Sequence, residues 1–323
     1  MKIPLSPLGL GCAQLGNLYH AITDETAEAT VRQAWDEGIR YFDTAPHYGL
    51  GLSERRLGAA LSAYPRADFV VSTKVGRVLE PDPEGASRTD SQGFVVPAAY
   101  KRRWDFSRDG ILRSLEDSLE RLGLERVDVV YVHDPDEHFE DTVNGAFPAL
   151  LELREQGVVD AIGAGMNQAP MLAEFVRRFD LDVILLAGRY TLLNQPALDD
   201  LLPLCAERGV DVVAGGAFNA GILATATPGT MYDYAEAPAG LVERAQRIAD
   251  VCARHGVELP QAALALPAAH PSVVSVVVGA HDPGQVRLNA ERFRRPVPRE
   301  LWTDLIRAGL VREDTVLREE GQP

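Results

Sequence analysis

Four side chains fall where they could move a proton to or from an oxygen atom. Asp43, Lys74 and His133 stand at the ends of three consecutive apolar segments, and Tyr48 follows Asp43 after a short turn. A phenol, with a pKa of about 10, is a weak acid or base at neutral pH unless a nearby cation stabilises the phenolate. A lysine ammonium is such a cation, and a carboxylate beside it keeps it charged when buried. The set predicts proton transfer at an alcohol or carbonyl oxygen, with the lysine lowering the pKa of the phenol and the histidine orienting that oxygen.

Lys74 is the most informative of the four residues. Only 3 of the 32 lysines and arginines in the chain are lysines, so a lysine at the end of an apolar segment is an exception. Lysine is a compact cation whose pKa shifts when it is desolvated, whereas arginine stays charged. Taken alone, Lys74 could equally extend its ammonium to solvent, Asp43 could cap a turn, and His133 could be a satisfied core residue. A Schiff-base lysine of an aldolase is a further alternative, although it would leave Tyr48 unexplained.

Strand and helix patterns alternate along the chain and would position these residues. Eight short apolar segments lie at 8–12, 39–43, 69–75, 127–133, 161–166, 183–187, 210–214 and 273–279. Helical patterns lie at 25–37, 53–62, 108–122, 140–156, 169–179, 196–208, 241–255, 260–270 and 283–293. Strands that are apolar throughout are typical of a parallel sheet covered on both faces. Eight strand–helix units favour an α/β fold of the closed (β/α)8 TIM-barrel type, in which the carboxyl ends of the strands form the active-site face.

The same pattern predicts how the chain is organised. No shift in composition marks a second domain, so residues 1–323 are expected to form a single barrel domain with an extra C-terminal helix. The segment 76–105, after the third strand, is rich in Pro, Gly and Asp. A connection of that length is usually a lid or binding loop, so we expect a long irregular loop that contacts substrate.

Composition narrows the class of protein. A net charge of −15 argues against nucleic acid or an anionic membrane as a partner. The 3 cysteines are far apart and form no CxxC pair, which is typical of reduced thiols in the cytoplasm. There is no apolar segment long enough for a signal peptide or a membrane span. The segment 133–138 resembles a metal cluster, but its proline and acids are more typical of a capped helix start. We expect a cytoplasmic enzyme with a small-molecule substrate and no metal, and the pattern carries no prediction of oligomeric state.

The residues around the strand ends resemble the aldo-keto reductase superfamily over nearly the whole chain. The strand-end motifs are Asp43-Thr44-Ala45-x-x-Tyr48-Gly49, Thr73-Lys74 and Val132-His133. Supporting motifs are Gly9-Leu10-Gly11, Ser53-Glu54-x-x-Leu57-Gly58 and Ser114-Leu115-x-x-Ser118-Leu119-x-x-Leu122-Gly123. The resemblance implies a barrel that binds a nicotinamide cofactor without a Rossmann domain. It also implies Tyr48 as general acid/base with its pKa tuned by Lys74. In the same way, Asp43 would be the partner of the lysine and His133 would orient the substrate.

Three further segments, 132–136, 162–167 and 217–223, resemble one branch of the superfamily. That branch holds L-fucose dehydrogenase and D-threo-aldose 1-dehydrogenase, with pyridoxal 4-dehydrogenase close by. It implies NAD(P)-dependent oxidation of the C1 hydroxyl of an aldose to the lactone. Pyridoxal oxidation, general aldehyde or ketone reduction, and a nicotinamide-binding accessory or redox-sensing subunit stay open as alternatives. Aromatic residues that could stack on the apolar face of a sugar are Tyr19, Tyr100 and Trp104.

The resemblance also indicates cofactor contacts, at Asn167, Phe218, Asn219, Gly279, Gln285 and Asn289. Phe218 or Asn219 would replace a stacking tyrosine that the family has after the seventh strand. After the eighth strand, Gly279-Ala280 and Gln285 stand where NADP-dependent members have the lysine, serine and arginine that bind the ribose 2′-phosphate. A dianionic phosphate with few cationic partners binds poorly, so NAD is predicted and NADP stays possible. The helix at 283–293 would offer its N-terminal N–H groups to a cofactor phosphate.

Overall fold

The computed structural model describes residues 3–227, 231–232 and 235–315, and its centre is a closed barrel of eight parallel strands. The strands follow one another around the ring in chain order, and the eighth pairs with the first. They are Leu8–Gly11, Tyr41–Asp43, Val70–Val75, Val129–His133, Ala161–Met166, Val183–Ala187, Asp211–Gly215 and Val273–Gly279. The predicted (β/α)8 barrel is confirmed, because no strand end differs by more than two residues from the pattern.

Apolar side chains fill both faces of the barrel wall. Inside the barrel, Tyr41 and Tyr131 pack with Val129, Val183, Leu185, Val213 and Val277. Outside, the next residues along the strands, such as Phe42 and Val130, join a larger cluster with the helices. Successive side chains of a strand point to opposite faces. Residues two apart therefore share the barrel interior, which groups Tyr41 with Asp43, Ser72 with Lys74, and Tyr131 with His133.

Helices cover the outside of the barrel. The longer ones are Asp24–Asp36, Leu52–Leu61, Arg108–Leu122, Phe147–Glu155, Ala169–Arg178, Leu201–Arg208, Ala239–Arg254, Leu259–Ala268, Pro283–Arg294 and Arg299–Arg307. Three of them begin with a side-chain cap, in which Thr23, Ser107 or Asp282 accepts a backbone N–H of the first turn. The last helix packs Leu301, Trp302 and Leu305 into one apolar cluster with Val242 and Ile248 of the helix Ala239–Arg254. No helix in these described ranges is long and apolar enough to cross a membrane.

Two predicted helices are interrupted. The pattern at 140–156 resolves into a short turn Phe139–Asp141, a π-helical stretch Thr142–Ala146 and the helix Phe147–Glu155. Pro148 lies in the first turn of that last helix and has no N–H to donate, so the regular ladder of hydrogen bonds cannot run through it. The pattern at 196–208 likewise divides into a 3₁₀ turn Pro196–Leu198 and the helix Leu201–Arg208. Neither break moves a strand end.

The insertion at 76–105 is more regular than predicted. Its two ends form an antiparallel hairpin, Arg77–Pro81 with Tyr100–Trp104, and the turn between them includes a 3₁₀ helix, Gly85–Ser87. Charged pairs hold this hairpin together: Arg103 with Glu80 at 2.6 Å, Lys101 with Asp82 at 3.3 Å and the buried Arg102 with Asp90 at 2.7 Å. The expectation of a long loop holds for the segment 82–99 between the strands, but it is wrong at the two ends, where charged pairs replace the apolar alternation by which strands are recognised.

Candidate active site

The four predicted residues meet at the carboxyl-end mouth of the barrel. Asp43, Lys74 and His133 end or nearly end the second, third and fourth strands, and all three side chains point inward. Tyr48 lies in the turn after the second strand, and its hydroxyl is 3.1 Å from the Nζ atom of Lys74. The rings of Tyr48 and His133 are perpendicular, with centroids 5.9 Å apart. Their neighbourhood follows from the parallel order of the strands, as the sequence predicted.

Lys74 is held as a buried cation. Its side chain is 2% exposed, and its three N–H groups face three oxygen acceptors. Nζ lies 2.6 Å from Asp43 Oδ2, 2.9 Å from the carbonyl oxygen of Thr44 and 3.1 Å from the hydroxyl of Tyr48. Burial alone would lower the pKa of Lys74, but Asp43 and Tyr48 outweigh it and raise that pKa. The ammonium therefore stays charged at neutral pH and does not extend to solvent.

A chain of hydroxyl groups continues from Asp43 into the barrel. Ser72 donates to the other carboxylate oxygen, Oδ1, at 2.7 Å. The hydroxyl of Tyr41 lies 3.0 Å from that of Ser72 and 3.2 Å from that of Tyr131. Burial holds the pKa values of both tyrosines above the usual range, so they remain neutral donors. Asp43 thus accepts a hydrogen bond at each oxygen, which fixes the orientation of its carboxylate.

The turn that carries Tyr48 is fixed by close backbone packing. Gly49 has a φ of 63°, and a Cβ atom there would lie 2.3 Å from the carbonyl oxygen of Gly16. The glycine after the tyrosine is therefore required twice, for its conformation and for the approach of the neighbouring loop. Ser53 connects the same region. Its hydroxyl donates to the carbonyl of Cys12 at 2.6 Å and lies 2.8 Å from the hydroxyl of Thr44. This explains why Ser53 accompanies the strand-end motif.

The pKa of Tyr48 differs from the sequence prediction. Burial raises the pKa of Tyr48 to about 12, although the charge and hydrogen bond of Lys74 act in the opposite direction. Lys74 thus acts on this pKa in the direction that the sequence predicted, but burial outweighs it. At neutral pH the group is a phenol that can donate a proton to a carbonyl oxygen. When that proton leaves, Lys74 is in place to stabilise the phenolate.

His133 is buried, neutral and beside an acidic residue. Burial, together with the positive charges of Arg77 and Lys74, holds the pKa of His133 well below its usual range. Its Nε2 atom lies 3.4 Å from Oδ2 of Asp134, and its Nδ1 atom has no hydrogen-bond partner among the described residues. A carboxylate oxygen opposite Nε2 favours the tautomer that carries its hydrogen there. The imidazole can therefore donate to a substrate oxygen.

Asp134 does not cap a helix. The sequence assigned the acids after His133 to a helix start, but the carboxylate of Asp134 forms an ion pair with Arg77 of the insertion hairpin. The turn Phe139–Asp141 begins after His138 without any side-chain cap. That part of the prediction is wrong, because Pro135 and the positive φ of 40° at Asp134 turn the chain away from a helix at this point. Among the described residues no group of three or more His, Cys, Asp or Glu assembles that could hold a metal ion.

The three aromatic residues predicted to contact substrate lie in different places. Trp104 stacks on the guanidinium of Arg77 at 4.4 Å from ring centroid to Cζ, which brings it close to Asp134 and His133. Tyr100 lies at the other end of the same strand, opposite Pro81. Tyr19 donates its backbone N–H to the carbonyl of Gly93 in the insertion, at 2.8 Å. All three side chains are about 40% exposed, and only Trp104 is joined to the strand ends through a described contact.

Residues that could hold a nicotinamide cofactor follow the fifth and seventh strands. Asn167 comes directly after Met166, where the fifth strand ends. Asn219 is buried in a left-handed conformation with a φ of 45°; its amide donates to the carbonyl of Gly188 at 3.3 Å, and its Oδ1 atom has no partner among the described residues. Phe218, beside it, packs partly against both apolar clusters outside the barrel. An unpaired buried acceptor at this edge fits the hydroxyl and carboxamide donors of a nicotinamide nucleotide.

The eighth strand and the helix after it complete this group. A Cβ atom on Gly279 would lie 2.2 Å from Oε1 of Gln14, a second buried acceptor without a partner in the described chain. Gln285 is turned inward on its own loop, because its Oε1 accepts the backbone N–H of His281 at 2.9 Å. Asn289 lies further along the helix, in a narrow cleft with Leu10 and Val278. The residues present therefore fit a nucleotide bound across the fifth, seventh and eighth strand ends, beside Gln14 after the first strand.

Sequence reasoning missed four contributors to this site. Ser72 and the carbonyl of Thr44 complete the contacts of the Asp43–Lys74 pair, and Arg77 and Asp134 form the ion pair beside His133. The inward alternation of the third strand could have found Ser72, which stands two residues before Lys74. The contact between Arg77 and Asp134 spans 57 residues and carries no local pattern. Only the folded hairpin reveals it.

Comparison with known proteins agrees with this geometry. The model of the Aldo/keto reductase family matches residues 7–307. The chain is 48% identical to a D-threo-aldose 1-dehydrogenase from a Pseudomonas species, over 96% of this chain and 95% of the relative. It is 38% identical to a pyridoxal 4-dehydrogenase from Microbacterium luteolum, with the same coverage of 96% and 95%. A solved aldo-keto reductase from Bacillus halodurans, in its holo form, superposes with a TM-score of 0.73 at 25% identity and covers 100% of this chain and 99% of its own.

The family match spans the whole barrel, and the two relatives cover nearly the full chain. The buried Asp43–Lys74 pair, the phenol of Tyr48 and the neutral imidazole of His133 stand at the strand ends where the resemblance places them. Buried acceptors without donors at the neighbouring strand ends fit a nicotinamide cofactor. This chain therefore belongs to the aldo/keto reductase family and is an NAD(P)-dependent oxidoreductase.

Proposed function

We propose that this protein oxidises the C1 hydroxyl of an aldose, of the L-fucose or D-threo-aldose type, and transfers hydride to NAD to give the lactone. The observation that carries the proposal is the contact of one buried ammonium, Lys74, with both Asp43 at 2.6 Å and the hydroxyl of Tyr48 at 3.1 Å. The substrate class is supported by the 48% identity to a D-threo-aldose 1-dehydrogenase. A net negative charge suits a neutral sugar as well as any other small molecule, so the charge does not decide the substrate.

In the proposed mechanism Tyr48 exchanges a proton with the reacting oxygen. During reduction the phenol of Tyr48 would donate its proton to the carbonyl oxygen, and during oxidation, the reverse step, the ionised fraction of Tyr48 would accept the proton of the C1 hydroxyl. Lys74 stabilises the phenolate by charge, and Asp43 keeps the ammonium in place. His133 is neutral and carries its hydrogen on Nε2, from which it donates to the same oxygen and orients it. A bound nicotinamide ring supplies the hydride acceptor.

The cofactor would lie across the strand ends that carry Asn167, Asn219 and Gly279. The helix Pro283–Arg294 begins at that edge, and its first turn is capped by Asp282, whose Oδ1 accepts the N–H of Gln285 at 2.9 Å. The aspartate places a negative charge where a 2′-phosphate would need cations and free N–H groups as partners. This supports NAD over NADP, in addition to the missing lysine and arginine of the NADP-dependent members.

Replacing Asp282 by asparagine is expected to shift the preference toward NADP. Asparagine is as good an N-cap as aspartate, so the helix should keep its start while the charge is lost. Removing a like charge near a phosphate is worth about 0.3–1 kcal/mol or more at a helix end, so the NADP/NAD ratio of kcat/KM should rise about 2- to 5-fold. Steady-state kinetics with both cofactors measures this ratio. Asp304→Asn, on the helix Arg299–Arg307, is a matched control that should leave the ratio unchanged.

A substrate panel tests the proposed function. Purified protein is assayed for reduction of NAD and of NADP with L-fucose, D-arabinose, L-galactose, simple alcohols and pyridoxal. The proposal expects NAD reduction with at least one aldose, at a kcat/KM well above that for pyridoxal. Preferred oxidation of pyridoxal would assign the activity of the second relative instead. Reduction of neither cofactor with any compound of the panel would contradict the proposed function.

A further inference from the structure

The ion pair between Arg77 and Asp134 lies at the edge of the candidate active site, on two segments that are distant in sequence. Arg77 begins the insertion hairpin, and Asp134 follows His133 directly. The Arg77 side chain is 10% exposed and that of Asp134 36% exposed, so the pair has one buried and one open side. The Oδ2 atom of Asp134 also lies 3.4 Å from Nε2 of His133. The carboxylate therefore borders the position that the reacting oxygen must take between His133 and Tyr48.

Asp134 reaches this position through a costly backbone conformation. Its φ of 40° lies in the left-handed region, which residues with a Cβ atom seldom adopt. Its N–H donates to the carbonyl of Gly165 at 3.0 Å, so the neighbouring strand holds the conformation in place. Strained residues of this kind are concentrated at functional sites. The strain keeps the carboxylate beside His133, where a helical continuation would have carried it away.

Both members of the pair keep hydrogen-bonding capacity on the open side. Of the three guanidinium nitrogens of Arg77, Nη2 donates to Asp134 and Nε is buried, whereas Nη1 donates no hydrogen bond in the described ranges and is the one on the open side. Within the same ranges Oδ2 of Asp134 accepts from Arg77, whereas its Oδ1 atom accepts no hydrogen bond. Trp104 covers the guanidinium at 4.4 Å and fixes its plane. Burial raises the pKa of Asp134 while Arg77 opposes that shift, so the charged form depends on the pair.

We propose that Arg77 and Asp134 recognise a hydroxyl group on the carbon next to the reacting carbon. The inference rests on the proposed function and deepens it by naming what selects the substrate. A hydroxyl both donates and accepts, so it matches a free carboxylate oxygen and a free guanidinium N–H at once. An alcohol or aldehyde without that hydroxyl would leave the free carboxylate oxygen and the free N–H desolvated without partners, although the ion pair itself would remain. Leaving such groups without partners is how sites discriminate most strongly against an analogue. In an aldose oxidised at C1, this group is the C2 hydroxyl.

The test is the discrimination between substrates that differ only in that hydroxyl. The kcat/KM values of the best aldose of the panel and of its 2-deoxy counterpart are measured in oxidation, and those of lactaldehyde and propanal in reduction. Asp134→Asn is expected to lower the hydroxyl/deoxy ratio about 10- to 100-fold, as for the loss of a hydrogen bond to a charged group. Arg77→Lys keeps the charge but loses the planar fork, so a smaller fall in the same direction is expected. Asp136→Asn, two residues along on the exposed loop, should leave the ratio unchanged.

The ratio separates recognition from a merely structural role. A general loss of folded protein, or a changed tautomer of His133, lowers kcat/KM equally for both members of a substrate pair. Such a loss cancels in their ratio. An equal loss for both members in Asp134→Asn overturns the inference, and so does a wild type that fails to distinguish the members of either pair. If the wild type oxidises no aldose, the proposed function fails, and the ratio for lactaldehyde and propanal then decides this inference alone.

Discussion

Replacing Tyr48 by phenylalanine is expected to lower kcat about 10²- to 10⁴-fold while the affinity for NAD stays within a few-fold of the wild type. The loss follows from removing the phenol hydroxyl that is hydrogen-bonded to Lys74, since a positioned acid or base contributes about that factor. Affinity should persist because the residues that fit the cofactor lie at other strand ends. Steady-state kinetics gives kcat, and quenching of tryptophan fluorescence by NAD gives the affinity.

Tyr64→Phe is the matched control for this variant. Tyr64 stacks on Trp35 at 3.9 Å between ring centroids, outside the barrel mouth, so loss of its hydroxyl should leave kcat unchanged. A Tyr48→Phe protein that kept more than a tenth of wild-type turnover would show that another group transfers the proton. A variant that lost NAD binding as well would point to a structural role for the hydroxyl.

Replacing Lys74 by methionine is expected to destabilise the fold by about 3–5 kcal/mol and to abolish activity. The substitution leaves Asp43, which is 3% exposed, as a buried carboxylate without its cation. Breaking a buried ion pair on one side typically costs this much, because the remaining charge is desolvated and uncompensated. Denaturation in urea, followed by circular dichroism, measures the free energy of unfolding.

Two companion variants make this prediction specific. Lys101→Met removes a lysine whose side chain is 69% exposed and lies 3.3 Å from the buried Asp82, which Arg88 also approaches at 3.8 Å. Because the lysine is exposed and the carboxylate keeps a second cation, the expected loss is only about 0–1 kcal/mol. The double variant Asp43→Asn with Lys74→Met removes both charges, so it should be more stable than Lys74→Met alone while remaining inactive. If Lys74→Met were no less stable than Lys101→Met, the ammonium would not be the buried cation described above.

The barrel and the four residues at its strand ends could be predicted from the sequence for a physical reason. Parallel strands that are covered on both faces must be apolar almost throughout, so Lys74 and His133 stand out as polar ends of apolar segments. The closure of the barrel then places consecutive strand ends side by side. The side chain of Tyr48, in the turn after Asp43, could be added because that turn is short.

The features that could not be predicted depend on contacts between segments that are distant in the sequence. The hairpin in the insertion is built on charged pairs such as Arg103 with Glu80, which have no period-two apolar pattern to reveal them. The pairing of Arg77 with Asp134 exists only because that hairpin folds over the fourth strand end. The pKa of Tyr48 depends on how fully the phenol is buried, and burial outweighs the lysine that the sequence already indicated.

Transfer of hydrogen from C1 is the central claim, and isotopic labelling tests it most directly. An aldose carrying deuterium at C1 is oxidised by the wild-type protein in the presence of NAD, and the reduced cofactor and the sugar product are analysed by mass spectrometry. The mechanism predicts one deuterium in the reduced cofactor, a lactone as product, and the same transfer slowed about 10²- to 10⁴-fold with Tyr48→Phe. Reduced cofactor without deuterium, or a product oxidised at another carbon, would contradict it.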